Sequence, residues 1–125
     1  LGEAMADALE ACGLHDQKKL DKFRGKYRRA PSVLVVGSIA DDDPRRAREN
    51  RDATAAAVQN LLLGATAAGL ASFWSSGHDE TDEAIARLCG WPAGTSTVAI
   101  VYLGWPNGDV HVPVRPDPSV DHVEG

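Results

Sequence analysis

DATAAAVQNLLLGATAAGLASFW, residues 52–74, carries no charge after its first residue. The spacing predicts a helix over 52–70. Asp52 is placed to cap its start, where a side-chain oxygen accepts from a free first-turn N–H. Gly69 is placed to close it, because glycine enters the left-handed conformation that ends many helices without a Cβ penalty. Ala53, Ala55, Ala56, Ala57, Val58, Leu61, Leu62, Leu63, Ala65, Ala67 and Ala68 make the segment apolar nearly all round, which predicts a buried helix. Its alanines and Gly64 let another backbone approach closely, so the expectation is a central helix at a subunit interface. A bilayer span needs roughly 20 apolar residues. Thr54, Gln59, Asn60 and Thr66 argue against that reading here. Beyond the helix, residues 71–74 read as a short apolar link and Ser75-Ser76-Gly77-His78 as a polar turn.

Upstream, the short run Val33-Leu34-Val35-Val36 predicts a strand within residues 32–40, buried on both faces. Asp41-Asp42-Asp43-Pro44 ends it in a loop. Residues 15–29 read as a helix with Leu20, Phe23 and Tyr27 inward and Lys18, Lys19, Lys22 and Lys26 facing water. Pro31 disfavours helix at Ala30. Residues 1–12 form another predicted helix, with Leu1, Met5, Ala8, Leu9 and Cys12 on one side and Gly13 as its stop. Downstream, Asp79 opens a helix whose first-turn Asp82 and Glu83 favour the positive end of the helix dipole. Ile85 and Leu88 supply its core side, and Cys89, Gly90 and Pro92 end it. Residues 97–103, TVAIVYL, are a second continuous apolar strand, followed by a turn over 104–108. The tail, 109–125, carries little core and is expected to run extended onto a partner subunit. This order indicates an α/β or α+β domain. Two strands make a poor sheet, so further strands are expected from a preceding segment, from a partner or from the tail.

The 125 residues fit one domain, with 43% hydrophobic and 25% charged residues, a globular composition. Because Leu1 already lies in a predicted helix, the chain is expected to start inside a longer protein, truncated at its N-terminus. The net charge of −5 excludes a globally basic nucleic-acid binder. Eleven of the 13 basic residues nonetheless fall between Lys18 and Arg51. Such a cluster suits either a phosphate-binding face or a solvated helix face. Asp41, Asp42 and Asp43 interrupt it and favour the second. Cys12 and Cys89 are too few for a disulfide scaffold and match no metal spacing, which suits a reducing, cytoplasmic compartment. Each reads as a small hydrophobe rather than a nucleophile.

No dinucleotide fingerprint, phosphate loop or nucleophile elbow occurs. His15, His78, His111 and His122 are scattered, so no metal site and no catalytic side chain is assigned. His78 reads as a lone surface histidine rather than an acid or base. Gly77 leaves two readings open: close approach of a flat ligand to the backbone, or an ordinary helix entry.

Taken in order, Ala30-Pro31-Ser32-Val33-Leu34-Val35-Val36, DATAAAVQNLLL over 52–63, GATAAGLASFW over 64–74, Ser75 to Asp79, and VAIVYLGWP over 98–106 resemble the FMN-dependent nitroreductase family. Trp105 stands where tyrosine is common there, and the stretch from Pro113 to His122 resembles the closing segment. The resemblance implies an α+β fold, a three-layer α-β-α sandwich forming an intertwined homodimer with exchange of a C-terminal strand. It implies FMN at the dimer interface and a nicotinamide cofactor, NADH or NADPH. It places the Gly77 amide toward flavin N5, Trp74, Ser75 and Ser76 at the ring-contacting turn, and Arg115 on the FMN phosphate, a role that suits a guanidinium fork. The family's N-terminal flavin motifs, of the RRS and PSxxNxQPW types, have no counterpart here, and Arg28-Arg29-Ala30 does not replace them. Ser76 stands where some members carry an acidic residue.

The implied function is an oxidoreductase that passes hydride from NAD(P)H through flavin to a nitroaromatic, quinone or similar small acceptor. Nucleic acid and membrane are not expected partners. A missing N-terminal segment or a second chain is. The alternative is a non-catalytic or degenerate subunit of the same fold, serving dimerisation or flavin binding.

Overall fold

The computed structural model describes residues 1–108 and 114–123. Two helices, α1 (Gly2–Ala11) and α2 (Gln17–Lys26), lead through a 3₁₀ turn at Tyr27–Arg29 into β1 (Ser32–Ser38). The long α3 (Pro44–Ala67) follows, then β2 (Ala71–Ser75), a 3₁₀ turn at Asp79–Thr81, α4 (Asp82–Cys89) and β3 (Ser96–Gly104). The strands form one sheet in the order β1-β3-β2, with β3 antiparallel to both neighbours.

Successive β3 side chains point to opposite faces, and each face builds its own core. Ile100 packs with Met5, Tyr27 and Ile85, with Val33, Val35 and Tyr102 beside them. This face is covered by α1, α4 and the Tyr27–Arg29 turn. Ala99 and Val101 pack against Val58 of α3, with Val36, Leu61, Leu62, Trp74 and Leu103 around them. The result is a three-layer α-β-α arrangement in an α+β fold. A bulge between Val36 and Gly37 shifts the β1 register. There the Trp91 ring lies so close that a Cβ on Gly37 would sit 2.6 Å from it.

Three elements differ from the sequence expectation. First, α3 begins at Pro44 rather than Asp52. Asp43 is the N-cap, its carboxylate accepting from the Arg45 N–H at 2.9 Å, and Pro44 supplies a preset φ at the first position. The RRARENRD stretch has no apolar stripe and therefore gives no periodic signal. It is helical all the same, with Arg45 and Glu49 paired at 2.9 Å one turn apart. Second, α3 is not buried all round. Only Val58 and Ala65 are buried, while Ala53, Ala56, Ala57, Asn60, Leu63 and Gly64 are exposed. Third, residues 71–75 are a strand and not a link. The C-terminus of α3 follows expectation: Gly69 has φ 75°, its N–H donates to Thr66 and that of Leu70 to Ala65, the double bond pattern that ends a helix on a left-handed glycine.

The strand expectation for 32–40 is corrected in the same sense. β1 is an edge strand, and its residues range from exposed to buried instead of being covered on both faces. The extended tail is only partly described. Residues 114–123 carry no helix or strand and are exposed, and the expected crossing over 109–113 and 124–125 lies outside the described residues.

Candidate functional site

The turn after β2 joins the edge of the sheet to α4. β2 ends at Ser75, in register with Ile100 of β3. The chain then leaves the sheet and passes over Thr97. A Cβ on Gly77 would lie 3.3 Å from both Cβ and Cγ2 of Thr97, so glycine lets this backbone settle against the strand. Asp82 ties the start of α4 to the same place by accepting from the Thr97 N–H at 2.9 Å. His78 closes the turn as its carbonyl accepts from the Thr81 hydroxyl at 2.7 Å.

Two polar groups here lack partners. The Thr97 hydroxyl is buried without a hydrogen bond, and a buried group left so costs about 1–3 kcal/mol. Among the described residues, the Gly77 N–H meets no backbone carbonyl. A donor at a glycine on this turn suits the polar edge of a flat ligand laid on it, while the Thr97 side chain beneath seats the backbone and its buried hydroxyl stays out of reach.

The predicted site residues are only partly brought together. Ser75, Ser76 and Gly77 are contiguous on the turn, with Ser76 exposed and Gly77 half-buried. Trp74 points to the other face of the sheet, into the α3 core. Its indole N–H donates to the Val98 carbonyl at 3.2 Å, which braces the end of β2 from behind. Arg115 is exposed in the 114–123 segment, outside any helix or strand.

Lys26 was missed. Its spacing put it in water, yet it is half-buried, and its Nζ donates to the Ser75 Oγ at 3.2 Å. The ammonium lies 5.7 Å from the Phe23 ring centre and 5.5 Å from that of Tyr27. Burial lowers its pKa from the usual lysine value, and the like charges of Lys22 and Arg29 lower it further. Phe23 in turn meets His78 edge-on at 5.4 Å. Lys26 and Ser75 are 49 positions apart, and no local pattern reports such a contact. No group of three or more potential metal ligands comes together among the described residues. No helix there is long and apolar enough to cross a membrane.

With this geometry in place, comparison with known proteins is informative. The sequence model of the nitroreductase family matches residues 2–105. The protein named "Putative NAD(P)H nitroreductase YfhC" from Bacillus subtilis (strain 168) is 29% identical over 91 residues, covering 73% of this chain and 47% of its own length. "Putative NAD(P)H nitroreductase YdjA" from Escherichia coli (strain K12) is 26% identical over 106 residues, covering 83% of this chain and 58% of its own. The crystal structure of a nitroreductase-like family protein from Bacillus cereus matches with a TM-score of 0.56 at 24% identity, over 90% of this chain and 63% of that one, and so shares the fold. The chain spans about half the length of the curated relatives it matches.

Proposed function

Because the chain belongs to the nitroreductase family, we propose that the protein carrying it is an FMN-dependent oxidoreductase acting with NADH or NADPH. When bound, FMN would take hydride from the nicotinamide at its N5 and pass it to a nitroaromatic, quinone or similar acceptor. The chain's own residues have a different task. The Gly77 N–H would donate to the flavin edge, held in place by the Thr97 side chain on which the turn rests. Ser75 and Ser76 border the same edge. Trp74 acts from the opposite face of the sheet, holding the end of β2 in place, instead of touching the ring. Arg115 would bind the phosphate from the tail, as the fork of guanidinium donors allows. No side chain of the turn needs to act as acid or base.

The observation that carries this reading is the Gly77 N–H, which meets no backbone carbonyl among the described residues and stands on a turn seated against Thr97. The exposed small-residue side of α3 supports a homodimer, with the tail crossing to the second subunit. A cytoplasmic location fits the chemistry.

The test is a titration of the protein with FMN, read by quenching of flavin fluorescence, followed by oxidation of reduced nicotinamide. Stoichiometric binding is expected. Gly77→Ala is then expected to weaken FMN binding several-fold, because its Cβ would press on Thr97 at 3.3 Å and displace the amide. Thr97→Val would leave FMN binding unchanged and the flavin-free protein as stable or more stable by about 1 kcal/mol, because it removes an unsatisfied hydroxyl at nearly constant shape. Absence of FMN binding would instead favour a non-catalytic subunit of the same fold. Unchanged FMN affinity in Gly77→Ala would remove the turn from the site.

A further inference from the structure

The basic side of α2 is not simply a solvated face. Lys19, Lys22 and Lys26 line one cleft of about 340 Å³ together with Phe23. A second cleft, of about 360 Å³, shares Lys19 and Phe23 and reaches His78 and the carboxylate of Glu80. The two together border the turn after β2, to which Lys26 is tied through Ser75. Among the described residues, no carboxylate forms an ion pair with Lys22 or Lys26. Lys19 has only Asp16, at 3.8 Å and with both side chains well exposed. On the same helix, by contrast, Arg24 meets Glu3, Asp7, Glu10 and Asp21. Lys22 and Lys26 are thus gathered without an ion-pair partner, and the charge of Lys22 acts on Lys26 beside the larger effect of its burial.

We propose that Lys19, Lys22 and Lys26, with Phe23 as an apolar wall, form a subsite for the anionic group of a small molecule brought to the Ser75–Gly77 turn. Each cleft has the size of a small-ligand pocket, sufficient for a single aromatic ring bearing a carboxylate or for a phosphate group. The lysines supply the counter-charge, and Phe23 packs the ligand's apolar part. Such a subsite selects anionic substrates over neutral ones of the same shape. The shared chemistry has two sources: an anionic acceptor such as a nitrobenzoate, or the 2′-phosphate that separates NADPH from NADH. The assignment of the ligand as a redox substrate rests on the flavin reading of the turn. The anion subsite itself does not.

The experiment measures dissociation constants by equilibrium dialysis for 4-nitrobenzoate, nitrobenzene, NADPH and NADH. The proteins are the parent and the variants Lys22→Gln and Lys19→Gln/Lys22→Gln, with circular dichroism confirming the fold. Visible absorbance reports bound FMN in the same samples. Loss of one partly exposed charge is expected to weaken the anionic ligand about fivefold and loss of two more, with nitrobenzene unchanged. A weakened 4-nitrobenzoate identifies the acceptor as the source. A weakened NADPH against a constant NADH identifies the dinucleotide. Discrimination that persists in a protein that takes up no FMN when FMN is supplied supports the subsite and overturns the flavin reading. Equal affinity for the anionic and neutral partners of both pairs, or no change in the variants, overturns the subsite.

Discussion

The two faces of the sheet are closed to very different degrees. On one, Met5, Ile85 and Ile100 have no exposed surface at all, and the large exposed sheet residue is Phe73 of the edge strand β2. On the other, Val58, Ala99 and Val101 are buried at the centre, yet Leu63 of α3 is 58% exposed and Leu34 of the strand below is 41% exposed. Aromatic residues lie on both faces, Tyr27 and Tyr102 on the first and Trp74 on the second, so the difference rests on the number of covering elements. α1, α4 and the Tyr27–Arg29 turn close the first face, whereas among the described residues α3 alone covers the second. A single helix buries one stripe of its circumference, and α3 has apolar residues beyond that stripe. An all-round apolar helix therefore specifies how many of its sides seek cover and leaves open which chain provides it.

The largest test of this contrast compares Ile100→Ala with Leu63→Ala in urea unfolding. Truncating a fully buried isoleucine costs about 2–5 kcal/mol, because a cavity remains beside the lost contacts. Truncating Leu63 in the isolated chain is expected to cost about 0.5 kcal/mol or less, as at other exposed positions. The two faces separate further with protein concentration. If a second copy covers α3, the penalty at Leu63 grows with concentration by mass action while that at Ile100 includes a constant part. Equal penalties at every concentration would mean that the outer side of α3 stays in water.

The start of α3 gives a smaller test. Asp43→Ala should cost about 1 kcal/mol, the typical effect of losing an N-cap. Asp52→Ala should cost little, because Asp52 lies exposed within the helix and not at its end. The reverse order of effects would shorten the helix to the segment that apolar spacing marks.

That segment shows what was legible and why. The ladder over Val33–Val36 and the TVAIVYL strand announce themselves because continuous aliphatic runs need burial on a sheet. The end of α3 at Gly69 is visible because one glycine conformation closes it. Its first eight residues were hidden, since capping by Asp43 and Pro44 acts without an apolar stripe. β2 was hidden by its brevity: five residues, ASFWS, whose pairing depends on β3 some 25 positions later. At the site, the Ser75–Gly77 turn was legible from its position between an apolar segment and an acidic helix start. The opposite facing of Trp74 follows from strand alternation, which could not be applied while residues 71–74 were read as a link. Lys26 depended wholly on tertiary contact.

The closed face also has a spectroscopic signature, the smallest effect expected. Tyr27 and Tyr102 stack there at 5.7 Å and an interplanar angle of 14°, and both hydroxyls are buried without partners. Burial raises the Tyr27 pKa to about 12, and Tyr102 adds to the rise. Burial also raises Tyr102, against the opposing charge of Arg29. An unfolded phenol loses its proton near pH 10, so between pH 10 and about 12 the unfolded chain releases protons that folded Tyr27 keeps. The contribution is fully present below pH 10 and is lost as pH rises through the folded value. These are the chain's two tyrosines, so absorbance near 295 nm should show a delayed titration belonging to the pair. Tyr27→Phe should remove the later part and leave stability at pH 7 nearly unchanged, because the hydroxyl it deletes bonds to nothing. A phenol titrating at its ordinary value would mean that water reaches the Tyr27 hydroxyl, and the contrast between the two faces would fail at the point where it is drawn most sharply.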